Sequence, residues 1–426
     1  MDLKMKSLKG ITLALLMLIA AMAGCIGTED ETTDNATDNA DEKAAFLDAA
    51  DAGYTYASNV DNHRSLMQDL CDIKTEAGNF NFDEAENIYK NGKNAEKSDG
   101  SFRTLAGFAA ADGKNHGYDS FYNMSGSVDA HIMAAMDGTG DFENVSDTVR
   151  YQGIAKLTAN LGMVAYTIHE LNSAVAKADA GNIDNDSGAP HNWDEGWAFF
   201  HGPDEHWSCS PAYTMKKRAA DYGTETNGVS NALSASEQAM VDGLAALQAG
   251  DATAYNAATD TVVKNIVITY SQATLKYASK MDSNESGEKY QAEGYAFWKT
   301  MEAYVAPYTD NACYNMQSHT MGWVGSSAAA SCDSFIWTNG SMDSSGTNDT
   351  CYNTVSHTVA MGITTEAQCG AFSATYFYEN YGATSMNNIF DLTDSTQLGT
   401  SYDVTAWLQP AWTHYGITSD EIGTYQ

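Results

Sequence analysis

The sequence predicts a mainly α protein made of two related helical-bundle units, with a disulfide-held, loop-rich excursion near the C-terminus. Three observations carry that expectation. Only five of the 426 residues are proline, at 190, 203, 211, 307 and 410, so nothing before residue 190 interrupts a helix. Apolar residues recur every three or four positions in stretches rich in Ala, Met, Leu, Lys and Glu at 43–78, 82–97, 145–179, 231–281 and 288–306. Finally, Trp193-Asp194-Glu195-Gly196-Trp197-Ala198-Phe199-Phe200 is echoed by Gln291-Ala292-Glu293-Gly294-Tyr295-Ala296-Phe297-Trp298. Each echo lies downstream of an Asp-Thr-Val, at Asp147 or Asp260, where Asp or Thr is suited to cap the first free N–H groups of a long helix.

The N-terminus reads as an address. Lys4, Lys6 and Lys9 precede an apolar run from Ile11 to Met22, too short for a mature membrane span but suited to a signal-peptide core. Ala23-Gly24-Cys25 resembles a lipobox, so residues 1–24 are expected to be removed and Cys25 lipidated. Residues 25–42, acidic and rich in Thr and Asn, form a flexible tether, so the folded body stands off a membrane on a lipid anchor, at the cell surface or in the periplasm.

Composition narrows the partners. With 22 Lys and Arg against 56 Asp and Glu the formal charge is −34, and the four arginines are too few and scattered to grip phosphates, which excludes a nucleic-acid partner. The bland account of this acidity is a solvated surface; drawing metal cations is compatible with it. A hydrophobic content of 43% excludes a disordered chain.

The helical body is assigned to residues 43–306, and 307–426 to a cysteine-containing extension that returns to it. Beyond Cys25, six cysteines remain: Cys71, Cys209, Cys313, Cys332, Cys351 and Cys369. An even number in an exported chain reads as three disulfides. Cys313-Tyr314-Asn315-x-x-Ser318-His319-Thr320 is echoed by Cys351-Tyr352-Asn353-x-x-Ser356-His357-Thr358. The repetition suggests two stapled loops, Cys313 with Cys332 and Cys351 with Cys369, leaving Cys71 and Cys209, although fifteen pairings are formally open. Residues 307–390, rich in Ser, Gly, Asn and Thr, carry sequons at Asn339 and Asn348.

The densest polar segment, 191–206, holds three of the ten histidines together with Asp194 and Glu195. The echo keeps Glu195 and Glu293 while its neighbours change. Either these carboxylates satisfy buried helix partners, or they are hard oxygen ligands facing one site. On the preceding helix Tyr166, His169 and Glu170 add phenol, imidazole and carboxylate. With His191 and Asp194, these donors suit a hard or borderline cation such as Fe3+ better than a soft one. Enzyme templates fail: there is no His-Glu-x-x-His, no Gly-x-Ser-x-Gly, no P-loop and no dinucleotide fingerprint, so a non-enzyme is expected.

Ile88-Tyr89-Lys90-Asn91-Gly92-Lys93-Asn94, Ser101-Phe102-Arg103-Thr104-Leu105, the Trp193–Phe199 segment, its partial copy at Glu293–Phe297, and Tyr415-Gly416-Ile417-Thr418 resemble the low-iron-inducible periplasmic protein family. That family includes the algal iron-assimilation proteins and phytotransferrins and is more distantly similar to imelysin-type helical lipoproteins. The resemblance implies an imelysin-like bundle and extracellular capture of ferric iron, with carbonate as a companion anion and delivery to a transporter or reductase. The matching positions are Arg103, Trp193, Asp194, Glu195, Trp197 and Glu293, with Arg103 a carbonate partner because guanidinium offers a planar fork. Rival readings are an imelysin-like metallopeptidase and a cell-surface adhesion or envelope protein.

Overall fold

The computed structural model describes residues 50–111, 117–315, 320–325, 332, 335–338, 350–360, 362–370 and 376–426. The expected signal segment, the tether, Cys25, Asn339 and Asn348 lie outside the described residues.

A small hairpin, β1 (Ala50–Asp51) and β2 (Tyr54–Thr55), leads into α1 (Asp61–Gly78), so residues 50–60, inside the stretch the periodicity reads as helical, are not helix. Helix α2 (Phe82–Asn91) stops at Gly92, whose φ is +72° and where a Cβ would stand 2.7 Å from the Arg103 carbonyl oxygen. Three shorter helices follow, α3 (Leu105–Ala109), α4 (Gly117–Tyr122) and α5 (Ser127–Asp137). Helix α6 (Asp147–Lys156) runs through a π segment, Leu157–Gly162, into α7 (Met163–Asp179). In and around that wider turn, Thr158 Oγ1 donates to the Ile154 carbonyl and Asn160 Nδ2 to the Lys156 carbonyl, so side chains supplement the backbone ladder.

Helix α8 (Ala189–Phe200) turns back against α7. Helix α9 (Pro211–Tyr222) and a second hairpin, β3 (Glu225–Thr226) with β4 (Val229–Ser230), lead to α10 (Asn231–Ala249), α11 (Ala252–Ser279) and α12 (Gly287–Val305). The echoed segments thus lie on α8 and α12, each packed on a preceding longer helix. The Asp-Thr-Val starts differ from expectation. Ser146 caps α6, its Oγ accepting the Val149 N–H, while Asp260 lies inside α11. Gly250, at φ +68°, ends α10, and Asp251 then caps α11 through the Ala254 N–H, so the break falls ahead of Asp260.

The excursion carries β5 (Asn311–Asn315), β6 (Thr320–Gly325), β7 (Phe335–Thr338), β8 (Thr350–Asn353), α13 (Glu366–Gly370) and β9 (Tyr376–Tyr378). Strand order is β6-β5-β9, all antiparallel, with β7 and β8 a separate antiparallel pair. The chain returns through α14 (Tyr381–Ile389), α15 (Thr405–His414) and α16 (Ser419–Ile422). Trp412 Nε1 donates to Ser271 Oγ at 2.9 Å, which fastens α15 to α11.

The three disulfides are Cys71–Cys209, Cys313–Cys332 and Cys351–Cys369. The first ties α1 to the chain just before α9; the other two, with Ala360 and Ile363, are the buried centre of the excursion, separate from the main core. That main core is dominated by buried rings: Trp193 packs on Gly243 of α10, where a Cβ would sit 2.2 Å from the ring, and its Nε1 donates to the Met240 carbonyl at 2.7 Å. No helix among the described residues is long and apolar enough to cross a membrane.

Candidate functional site

Helix α8 carries Pro190 in its first turn, where a missing N–H is harmless, and is buried along nearly its whole length by α7, α10 and α1. Polar side chains in such a helix need partners. His191 and Glu195, at i and i+4, share one face, and His191 Nε2 lies 3.1 Å from Glu195 Oε1. From α1, His63 brings its Nε2 to 3.3 Å of the same oxygen. Asn192 Nδ2 donates to Glu170 Oε2 of α7 at 2.6 Å and to Glu195 Oε2 at 3.3 Å, so a second carboxylate is one amide away. Two imidazoles and two carboxylates thus meet within a buried cluster.

Asp194 orients this cluster from behind. It is fully buried and accepts from Tyr54 Oη at 2.7 Å, the Ala57 and Ser58 N–H groups at 2.9 and 2.8 Å, and Ser58 Oγ at 2.9 Å. Ser58 Oγ also lies 2.8 Å from His191 Nδ1, which leaves the opposite ring nitrogen for Glu195. Burial pushes the Asp194 carboxyl up to about 7, in spite of its donors.

The imidazoles differ in charge. Burial drives the His63 pKa down to about 3, Glu195 opposing while Arg103 and His191 add to the fall. Burial also works against the charge of His191, but the Glu195 carboxylate and its hydrogen bond outweigh it and hold His191 above its ordinary value. Around Glu195 burial favours the neutral acid, yet His63, His191 and Arg103 hold its carboxyl well below the usual range. The Glu195 carboxylate thus favours the charged form of His191, while burial favours the neutral form of His63.

One wall is aromatic. The His63 ring lies 5.6 Å from both Phe108 and Phe199, and Phe108 and Phe199 pack on Tyr166. The Tyr166 phenol donates to the Phe108 carbonyl, and burial pushes its pKa up, with Glu170 and Asp119 adding to the rise. His169 is half-buried with its ring 5.6 Å from that of Tyr166. Arg103, between α2 and α3, acts on both Glu195 and His63, and its buried Nε has no hydrogen-bond partner among the described residues; neither has Asn192 Oδ1.

Of the side chains singled out in the sequence, the structure gathers Glu170, His191 and Glu195, with Arg103 close and Tyr166 and His169 on the flank. Asp194 is occupied by the β2–α1 connection. Glu293 lies elsewhere, 3.7 Å from Lys156 of α6, because α12 packs against α6 and the π segment. His63 is the residue that local reasoning misses: nothing in Asp61-Asn62-His63-Arg64 marks it, and only the packing of α1 on α8 brings it in. Among the described residues, no group of three or more His, Cys, Asp or Glu side chains stands ready to hold a metal ion. The Glu195 cluster is closed on itself by its own hydrogen bonds.

One family model matches the chain over residues 36–318, and its description is low iron-inducible periplasmic protein. No curated protein and no solved structure matches.

Proposed function

The chain belongs to the low iron-inducible periplasmic protein family, and from that premise we propose that it is an exported protein that captures iron, as Fe3+, at the Glu195 cluster for uptake. The observation that carries this reading is the meeting of His63 Nε2 and His191 Nε2 on a single Glu195 oxygen, at 3.3 and 3.1 Å. Once the His191 proton leaves and the His63 ring proton shifts to Nδ1, two nitrogen donors and a carboxylate face one point. A turn of the Asn192 amide adds Glu170. Nitrogen and oxygen donors without sulfur suit ferric iron.

Arg103 supports a companion anion. Its unpartnered Nε beside Glu195 and His63 fits carbonate, which would meet a planar guanidinium and balance the charge of the metal. The family's name indicates a periplasmic location. A lipid on Cys25 would tether the body to a membrane near a transporter or reductase that receives the iron. Mass spectrometry of the mature N-terminus tests the anchor, and an unmodified thiol there rules it out.

The test of capture is the iron retained per chain after gel filtration from ferric nitrilotriacetate, with and without bicarbonate. One iron per chain is expected, with tighter retention in bicarbonate, and loss of retention in His63→Ala and Glu195→Gln. No retained iron in the parent protein under either condition overturns the reading.

A further inference from the structure

The second echoed glutamate leads to a cluster of opposite sign. Lys156 of α6 is one-quarter exposed and stands 3.7 Å from Glu293 of α12, which is 8% exposed. Lys74 on α1 and Lys217 on α9 are exposed, whereas Arg218, next to Lys217, is 5% exposed. Arg218 Nη2 reaches Asp221 at 2.9 Å, but its buried Nε and Nη1 find no acceptor among the described residues. An orphaned guanidinium nitrogen is expensive inside a protein unless something occupies it.

These groups act on one another. Burial pushes Lys156 below the ordinary lysine range; Glu293 opposes this, while Lys74, Lys217 and Arg218 add to it. Loss of hydration, with Lys217 adding to it, likewise lowers the Lys74 pKa. The Arg218 guanidinium also stands 5.9 Å over the Phe297 ring of α12, one turn on from Glu293, and α1 packs on α6, so the four cations gather about two carboxylates, Glu293 and Asp221, in a chain whose formal charge is −34. They grade from exposed Lys74 and Lys217, through Lys156, to buried Arg218. At the inner end, the Tyr270 phenol is held on Asn160 Oδ1 at 2.9 Å, beside the π segment. A chain so acidic repels anions at long range, so a local excess of positive charge running inward is a built feature.

We propose that Lys74, Lys156, Lys217 and Arg218 form an anion site, distinct from the Glu195 cluster, that takes one small multiply charged oxyanion of the polycarboxylate or phosphate type. The exposed lysines attract it, Lys156 exchanges part of its pairing with Glu293 for it, and the open Arg218 nitrogens receive it as a fork. Glu293 and Asp221, already paired with Lys156 and Arg218, set an upper limit on affinity and favour a ligand of at least two charges.

Calorimetric titration of the metal-free full-length protein with citrate, and separately with phosphate, at low salt tests this. Saturable binding of at least one anion, one per chain, is expected; the tighter of the two identifies the source. Lys217→Glu, on the surface, should weaken binding about tenfold, and Arg218→Gln should abolish it while circular dichroism reports an intact fold. Glu195→Gln should bind the anion as the parent does, which keeps the result independent of iron capture. No saturable binding of either anion, affinity within twofold of the parent in both Lys156→Gln and Lys217→Glu, or loss of binding in Glu195→Gln overturns the proposal.

Discussion

Replacing Glu195 with Gln removes one charge and almost no volume, so its effect isolates the electrostatics of the cluster. The Glu195 side chain is 12% exposed and pairs with His63 and His191. Removing one member of a buried pair typically costs about 3–5 kcal/mol. Here Gln keeps an acceptor oxygen and His191 escapes by shedding its proton, which lowers the expected loss to about 2–3 kcal/mol at pH 6. The pH dependence has a definite sign. Glu195 raises the folded-state pKa of His191 above 6.5, so the stability it supplies is full below pH 6.5 and fades as the pH climbs through the folded value. His63, lowered to about 3, behaves oppositely and loses its contribution only as the pH falls from 6.5 towards 3. Urea unfolding of parent and variant at pH 6 and pH 9 should therefore show a clearly larger difference at pH 6. Adding iron at about 100 times its dissociation constant should stabilise the parent by about 2.7 kcal/mol and leave the variant unmoved. Equal losses at both pH values, or equal stabilisation by iron, would refute the reasoning.

Three further outcomes follow from the same packing. Gly294→Ala sets a Cβ 2.0 Å from the Phe390 ring and should destabilise by about 1–3 kcal/mol, whereas Gly196→Ala meets the flexible end of Leu171 at 3.1 Å and should cost less; thermal unfolding distinguishes them. Cys71→Ser with Cys209→Ser opens a link spanning 138 residues and should cost about 3–5 kcal/mol in denaturant unfolding. Glu293→Gln should leave iron retention unchanged and tighten anion binding in the calorimeter, since it removes the carboxylate that competes for Lys156.

The long helices were legible because each buries a stripe at helical spacing and few prolines interrupt them: α7, α10, α11 and α12 all lie where the periodicity puts them. Helices α5 and α9 were not singled out, α9 because Pro211 reads as a break although at a first turn it starts a helix. Within the candidate site, Glu195 stood out in the sequence by its repetition and His191 by lying in the densest polar segment. His63 did not: it meets Glu195 across 132 residues of chain, and no local pattern records a pairing made by two helices packing side by side. Ser58 and Tyr54 were hidden for the same reason, since Asp194 acquires them only when the β1–β2 hairpin folds over α8.

The two echoed glutamates show how one local sequence acquires two chemistries. Four residues before Glu195 stands His191, and one residue before it stands Asp194; at the corresponding places before Glu293 stand Lys289 and Ala292. Ala292 has no carboxylate to seize a hairpin, so nothing like Ser58 is delivered to α12, and no imidazole is oriented there. Glu293 is left to the nearest cation on the neighbouring helix, Lys156 at 3.7 Å, in a setting already crowded with positive charge. Asp194 is therefore the difference that counts: by fastening Tyr54, Ala57 and Ser58 it fixes the entry to α1, and α1 carries His63 to Glu195. A carboxylate surrounded by imidazoles is suited to exchange protons for a metal ion, whereas one surrounded by lysines and an arginine is suited to yield its place to another anion.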